Sequence, residues 1–222
     1  MGEKVKTKAT EKLRDLRIYI FSGVLLVILL TPTILLAEMK YSSQDFREQE
    51  IPLLLNSGSV AGEKATVEYI LWTEDVSELT KIEKILQSTG LVWHKITLSN
   101  YSERNAYQYM AEIEIKKENE EQALEIYHLL TNKIKRIKVR LYFEERVDSA
   151  LDFDSYLKKS QIDIRQRVQL PDLISISGFH HDLRDVVKAG KQNINIQIMT
   201  KKGNESKKGR TVLAIPVLFE EF

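Results

Sequence analysis

Apolar residues fall along this chain in two different patterns. From Ile18 to Ala37 it reads IYIFSGVLLVILLTPTILLA, about twenty residues without a single charge. At 1.5 Å per residue, a helix of that length spans about 30 Å, the thickness of a bilayer's hydrocarbon core. After residue 62 the pattern changes to short runs with periods of two or of three to four. Ala65 to Thr73 (ATVEYILWT) is rich in β-branched and aromatic residues and predicts a strand. A helix is expected next, with Ser77 at its N-cap, a stripe of Leu79, Ile82, Ile85 and Leu86, and Gly90 as its stop.

Leu91–Ser99 predicts a second strand. In Ala106–Lys116, Tyr107, Tyr109, Ala111, Ile113 and Ile115 alternate with polar residues, so one face is buried and the other wet. Glu118–Ile134 places Ala123, Leu124, Tyr127 and Leu130 on one helical stripe. Arg136–Arg146 returns as a strand with Ile137, Val139, Leu141 and Phe143 on one face. The second half predicts a short helix over Asp152–Lys159 and strands over 161–170, 173–179, 192–200 and 210–219. Long antiparallel strands with helices between them indicate an α+β domain whose helices lie on one face of the sheet. A helix followed by two adjacent strands occurs in both 78–116 and 152–179, an echo that suggests two pseudo-repeats, 63–147 and 148–222.

Charge orients the apolar run. Residues 1–17 carry Lys4, Lys6, Lys8, Lys12, Arg14 and Arg17 against Glu3, Glu11 and Asp15, a net of +3. Positive charge stays on the cytoplasmic side, so residues 1–17 read as a cytoplasmic tail and 18–37 as a transmembrane signal-anchor. Residues 38–62 read as a stalk or first helix, and 63–222 as an extracytoplasmic domain. Pro32 breaks the apolar stretch and Ala37 could precede a cut, but Leu35 stands where cleavage wants a small residue. An uncleaved single-pass anchor is the expectation, with a secreted domain as its outcome if the segment is removed. The remaining chain holds 27 Lys and Arg against 29 Asp and Glu, a net of −2. Duplex binders draw affinity from neutralised phosphates and need a basic excess, which disfavours nucleic acid as a partner. With no cysteine, disulfides, thiolate metal sites and cysteine nucleophiles are excluded.

Candidate chemistry is sparse. His180-His181-Asp182 is the one cluster that invites a metal. Adjacent histidines on an extended segment point to opposite faces, however, so a turn is the reading and no metal ligand is assigned. His94 and His128 lie on separate elements, without H-x-x-x-H or H-E-x-x-H spacing. Glu112 and Glu114 share the wet face of their strand. Ser175 and Ser177 precede Gly178 without a G-x-S-x-G elbow. The basic run Lys201, Lys202, Lys207, Lys208 and Arg210 reads as a solvated turn, and Trp72, Trp93, Tyr107 and Tyr109 read as core in preference to a binding platform. No nucleophile–base pair and no phosphate-cradling glycine loop is present. The domain is therefore read as a non-enzyme, with no catalytic residue, cofactor or metal assigned.

Ile174-Ser175-Ile176-Ser177-Gly178-Phe179, Asn193-Ile194-Asn195-Ile196-Gln197-Ile198, Gly209-Arg210-Thr211 and Ile215-Pro216-Val217-Leu218-Phe219-Glu220-Glu221-Phe222 resemble the YwmB family. These are exported proteins of Gram-positive, spore-forming bacteria with an N-terminal signal or anchor and one domain. The element order looks similar across about residues 42–222; Ala214 departs from the glycine expected before Ile215-Pro216. The resemblance implies a TATA-box-binding-protein-like fold, a duplicated α+β arrangement of curved antiparallel sheet. It carries no catalytic residues. A shared fold does not bring its function along, so DNA binding stays the alternative to an envelope-protein partner.

This topology predicts the outcome of protease treatment of intact protoplasts. A tag after Phe222 is digested, whereas a tag before Met1 survives until lysis. Survival of the C-terminal tag would defeat the export reading.

Overall fold

The computed structural model describes residues 53–99, 105–203 and 208–219. The tail 1–17, the apolar run 18–37 and the stalk up to residue 52 lie outside the described residues. Among the described residues no helix is long and apolar enough to cross a membrane.

Ten strands and three α-helices follow in the order β1 (Lys64–Thr73), α1 (Leu79–Gln87), β2 (His94–Ser99), β3 (Asn105–Lys116), α2 (Glu120–Ile134), β4 (Arg140–Val147), α3 (Phe153–Ser160), β5 (Asp163–Gln169), β6 (Leu173–Phe179), β7 (Val187–Ala189), β8 (Gln192–Ile194), β9 (Ile196–Lys201) and β10 (Arg210–Ile215). The fold is α+β. Eight strands form one sheet in the order β2-β3-β1-β4-β10-β9-β6-β5, and every neighbouring pair is antiparallel. Both halves of the chain thus share a single sheet. Its first half, β1-α1-β2-β3-α2-β4, is a split β-α-β unit. The β7–β8 pair is a separate small ribbon.

Period-two alternation in β1 assigns the two faces. Ala65, Val67, Tyr69 and Leu71 point into the core formed with the helices. Ile82 and Leu86 of α1, Ala123, Tyr127, Leu130 and Ile134 of α2, and Phe153 and Tyr156 of α3 close over them. Tyr69 and Tyr127 each meet Phe143 edge-on at 5.7 and 5.6 Å between ring centroids, the arrangement favoured by aromatic quadrupoles. The Tyr69 hydroxyl donates to the Ala123 carbonyl at 2.8 Å and so ties β1 to α2.

Several boundaries differ from expectation for identifiable reasons. The first helix opens with a 3₁₀ turn, Val76–Glu78, because the Asp75 carboxylate accepts the Ser77 N–H at 3.0 Å. Asp75, not Ser77, is the cap. The expected strand 91–99 begins only at His94, and that of 136–146 only at Arg140, since Ile137 N–H bonds back to Ile134 and extends the end of α2 as a turn. The expected strand 192–200 is two pieces, β8 and β9, interrupted at Asn195. There the Asn195 side-chain amide bonds the backbone of His180 and Leu183, while its backbone N–H donates to the Gly178 carbonyl at 3.0 Å. Strand β7 had no sequence signal. Gly178 sits where a Cβ would come within 2.3 Å of Ile162 Cγ2, so the close pairing of β6 with the start of β5 requires glycine there.

The expected strand 210–219 stops at Ile215, and a cis Ile215–Pro216 peptide follows. The chain then crosses the face of the sheet away from the helices. Leu218 N–H donates to Gln197 Oε1 at 3.1 Å and Phe219 N–H to Glu144 Oε1 at 2.7 Å. The Phe219 ring packs on Trp72 and Tyr142 at 5.6 and 4.9 Å. Full burial of a phenylalanine contributes about 1.5–3 kcal/mol. Phe219 is half-buried, so Phe219→Ala is expected to cost about 1–2 kcal/mol. Urea denaturation followed by tryptophan fluorescence would show a lower midpoint and red-shifted native emission. An unchanged midpoint would mean that the tail does not hold this face.

Candidate functional site

On the face crossed by the tail, strand register sets three carboxylates in a row. Glu112 of β3 lies opposite Glu68 of β1, and Glu68 lies opposite Glu144 of β4. Glu68 and Glu144 are buried, and Arg146 bridges them, with its Nη2 3.3 Å from Glu68 Oε2 and paired with Glu144 Oε2. One end of this face opens into a recess of about 630 Å³ lined by Glu112, Glu114, Arg146, Lys208 and Arg210. Acidic and basic groups alternate there; Lys64 pairs with Glu114 at 2.7 Å and Arg210 with Asp148 at 3.4 Å. Such a surface suits a partner of mixed charge better than a polyphosphate.

On the helical side two more carboxyls enter the core. Glu145 stands in β4 between Phe143 and Val147, where period two demands an apolar residue, and Glu120 opens α2. Glu145 Oε2 accepts the Leu54 N–H at 2.7 Å. Glu120 accepts the N–H groups of Leu55 and Asn56 at 2.5 and 2.9 Å. These bonds seat Leu53–Leu55 in the core, so the segment read as stalk is packed structure from Leu53 onward. Burial pushes the Glu145 carboxyl well above the usual range, and the hydrogen bond and negative charge of Glu120 push it further. Its Oε1 is buried without a donor to accept from. A proton there turns that oxygen into a donor toward Glu120. Burial, then the charge of Glu145, also raises the Tyr69 and Tyr156 hydroxyls.

Beside this pair lies a second recess, of about 520 Å³, whose wall includes Leu53, Glu120 and Tyr156 together with His180, His181 and Asp182. The histidines stand at a turn, as read, so the opposite-face geometry of an extended segment does not apply to them. Their rings stack at 5.1 Å with 20° between planes. His181 Nε2 is 3.3 Å from Asp182 Oδ1, and His180 Nδ1 is 3.9 Å from Asp182 Oδ2. Burial lowers the His180 pKa, with the charge of Asp182 opposing it.

The remaining candidates stay apart. His94 is exposed on edge strand β2 and His128 half-buried on α2. Glu112 and Glu114 are exposed on one strand face, as read. Ser175 Oγ accepts from Gln197 Nε2 at 3.4 Å, and Ser177 is buried. Lys201 pairs with Asp172 at 3.8 Å; Lys207 lies outside the described residues. Trp72 is on the tail's face, whereas Trp93, Tyr107 and Tyr109 pack against the core, with Tyr109 bonded to Glu83 at 3.0 Å. They form no common platform. The buried Glu68, Glu120, Glu144 and Glu145 were not singled out from sequence. The available signals were a lone charge inside an apolar strand, Glu68 in ATVEYILWT, and for Glu145 its place two residues after Phe143 on the apolar face of LYFEERV.

A carboxyl whose pKa is raised by folding binds its proton more tightly in the native state, so stability falls as pH rises above the unfolded value. Glu145→Gln keeps an acceptor for Leu54 and gains a permanent donor toward Glu120. Denaturation midpoints between about pH 5 and pH 9 are expected to fall for the natural chain and to stay flatter for the variant. Parallel curves would show that Glu145 is not the group that titrates.

No family model and no curated protein matches this chain. Among solved structures, it is similar to a de novo designed protein, Foldit4, at 13% identity over 36% of this chain and 96% of that one, with a TM-score of 0.24. The regulatory subunit of aspartate kinase from Thermus thermophilus is 11% identical over 71% of this chain and 85% of that one, with a TM-score of 0.23. Aspartate kinase from Clostridium acetobutylicum is 10% identical over 71% of this chain and 30% of that one, with a TM-score of 0.22. Likenesses of this size carry no argument about fold or function.

Proposed function

We propose that the chain is a membrane-anchored, extracytoplasmic binding or structural module of the cell envelope, of YwmB type, with a protein as its partner and no catalytic activity of its own. In this reading residues 18–37 hold the membrane, residues 1–17 stay inside, and the domain works outside.

The observation that carries the reading is edge strand β5. It is exposed along its whole length, and Ile164, Val168 and the following Leu170 are 43%, 53% and 51% exposed. An open edge offers unpaired backbone N–H and C=O groups, and an extended peptide can add to it as a further strand. The carboxylate row across β3, β1 and β4 supports a protein partner over nucleic acid. The finer fold reading, a duplicated TATA-box-binding-protein-like sheet, is supported by the two edges: α1 precedes the hairpin β2–β3 at one, and α3 precedes β5–β6 at the other.

Photocrosslinking in cells tests this reading, with a photoreactive amino acid at Val168 and a control at Glu125, exposed on α2. A discrete protein adduct at 168, absent at 125, is expected. Identical patterns at both positions, or an adduct to nucleic acid, would overturn it.

A further inference from the structure

We propose that His180, His181 and Asp182 form a binding site for a divalent transition-metal ion of the zinc class, at the mouth of the recess beside α2 and α3. Three features of the turn support this assignment independently of the envelope role.

The first is ligand placement. One ligand atom from each residue lies within 4.8 Å of the other two. Ligands about 2.0–2.2 Å from a tetrahedral ion stand about 3.3 Å apart. The His181–Asp182 separation of 3.3 Å already meets that distance. His180 Nδ1 stands 3.9 Å from the other oxygen, Asp182 Oδ2, so the carboxylate lies within reach of both rings.

The second is an unused donor. His180 is 4% exposed, yet its Nδ1 makes no hydrogen bond. A buried polar atom without a partner is costly, and this one faces Asp182. The Ser160 backbone hydrogen-bonds the ring. A backbone contact on the ring helps to orient a ligating imidazole.

The third is preorganisation. Asn195 is fully buried and spends its side chain on this turn. Its Oδ1 accepts the His180 N–H at 2.7 Å, and its Nδ2 donates to the carbonyls of His180 and Leu183 at 2.7 and 2.8 Å. The turn is thereby held in place before any ion arrives, which reduces the ordering cost of binding. Two imidazoles and one carboxylate form a borderline-soft set suited to zinc or cobalt over magnesium or calcium. Such a set leaves a fourth position toward solvent and the recess.

The test uses the full chain in detergent, without a histidine tag, titrated with Co²⁺ and with Zn²⁺. A visible cobalt absorption band saturating at one ion per chain, bleached by zinc, is expected. His181→Ala, at an exposed position, and Asp182→Asn should each weaken binding at least tenfold, whereas His94→Ala leaves it unchanged. Circular dichroism checks that the variants remain folded. Absence of a saturable band at sub-millimolar cobalt, or equal binding by natural chain and His181→Ala, would overturn the proposal.

Discussion

A carboxyl in an apolar core must find hydrogen-bond partners or keep its proton, and the domain is arranged around that demand at Glu145. Its neighbours on the same face of β4 are Phe143 and Val147, and its charge reaches the buried hydroxyls of Tyr69 and Tyr156. The demand is met by the main chain of the segment that enters the fold. Leu54 bonds to Glu145, while Leu55 and Asn56 bond to Glu120 at the start of α2. One strand, one helix and the entry segment are therefore tied at a single buried point. Removing either acid would strand backbone N–H groups away from water, which is far costlier than losing an exposed bond.

The other face of the sheet handles polar burial differently. Glu68 and Glu144 share Arg146, and the chain after β10 lies across them, its Phe219 N–H satisfying Glu144 while the ring covers Trp72 and Tyr142. An antiparallel sheet can leave one face to water. Here the C-terminal segment covers part of that face and leaves an acidic and basic recess at one end.

The His180–Asp182 turn and Glu120 border one recess. Asn195, at the break between β8 and β9, holds the turn through its side-chain amide, while its backbone N–H donates to the Gly178 carbonyl at 3.0 Å.

Local information was enough for α+β class, for most helices and for the wet face with Glu112 and Glu114, because period and capping are properties of short stretches. The core side of β3 and the stripe of α2 follow from residue spacing alone. What spacing could not decide was pairing between distant residues. Glu145 reads as an ordinary surface glutamate until β4 is placed at the centre of the sheet, between β1 and β10, and α2 brings Glu120 beside it. The turn at His180 and His181 was legible after Gly178, but the stacking of their rings and the hold of Asn195, fifteen positions later, were not. Strand β10 ends early because a long-range bond to Glu144 draws the tail across the sheet. Periodicity determined the elements; burial of charges by partners far away in the chain, which only tertiary structure supplies, decided where the chemistry stands.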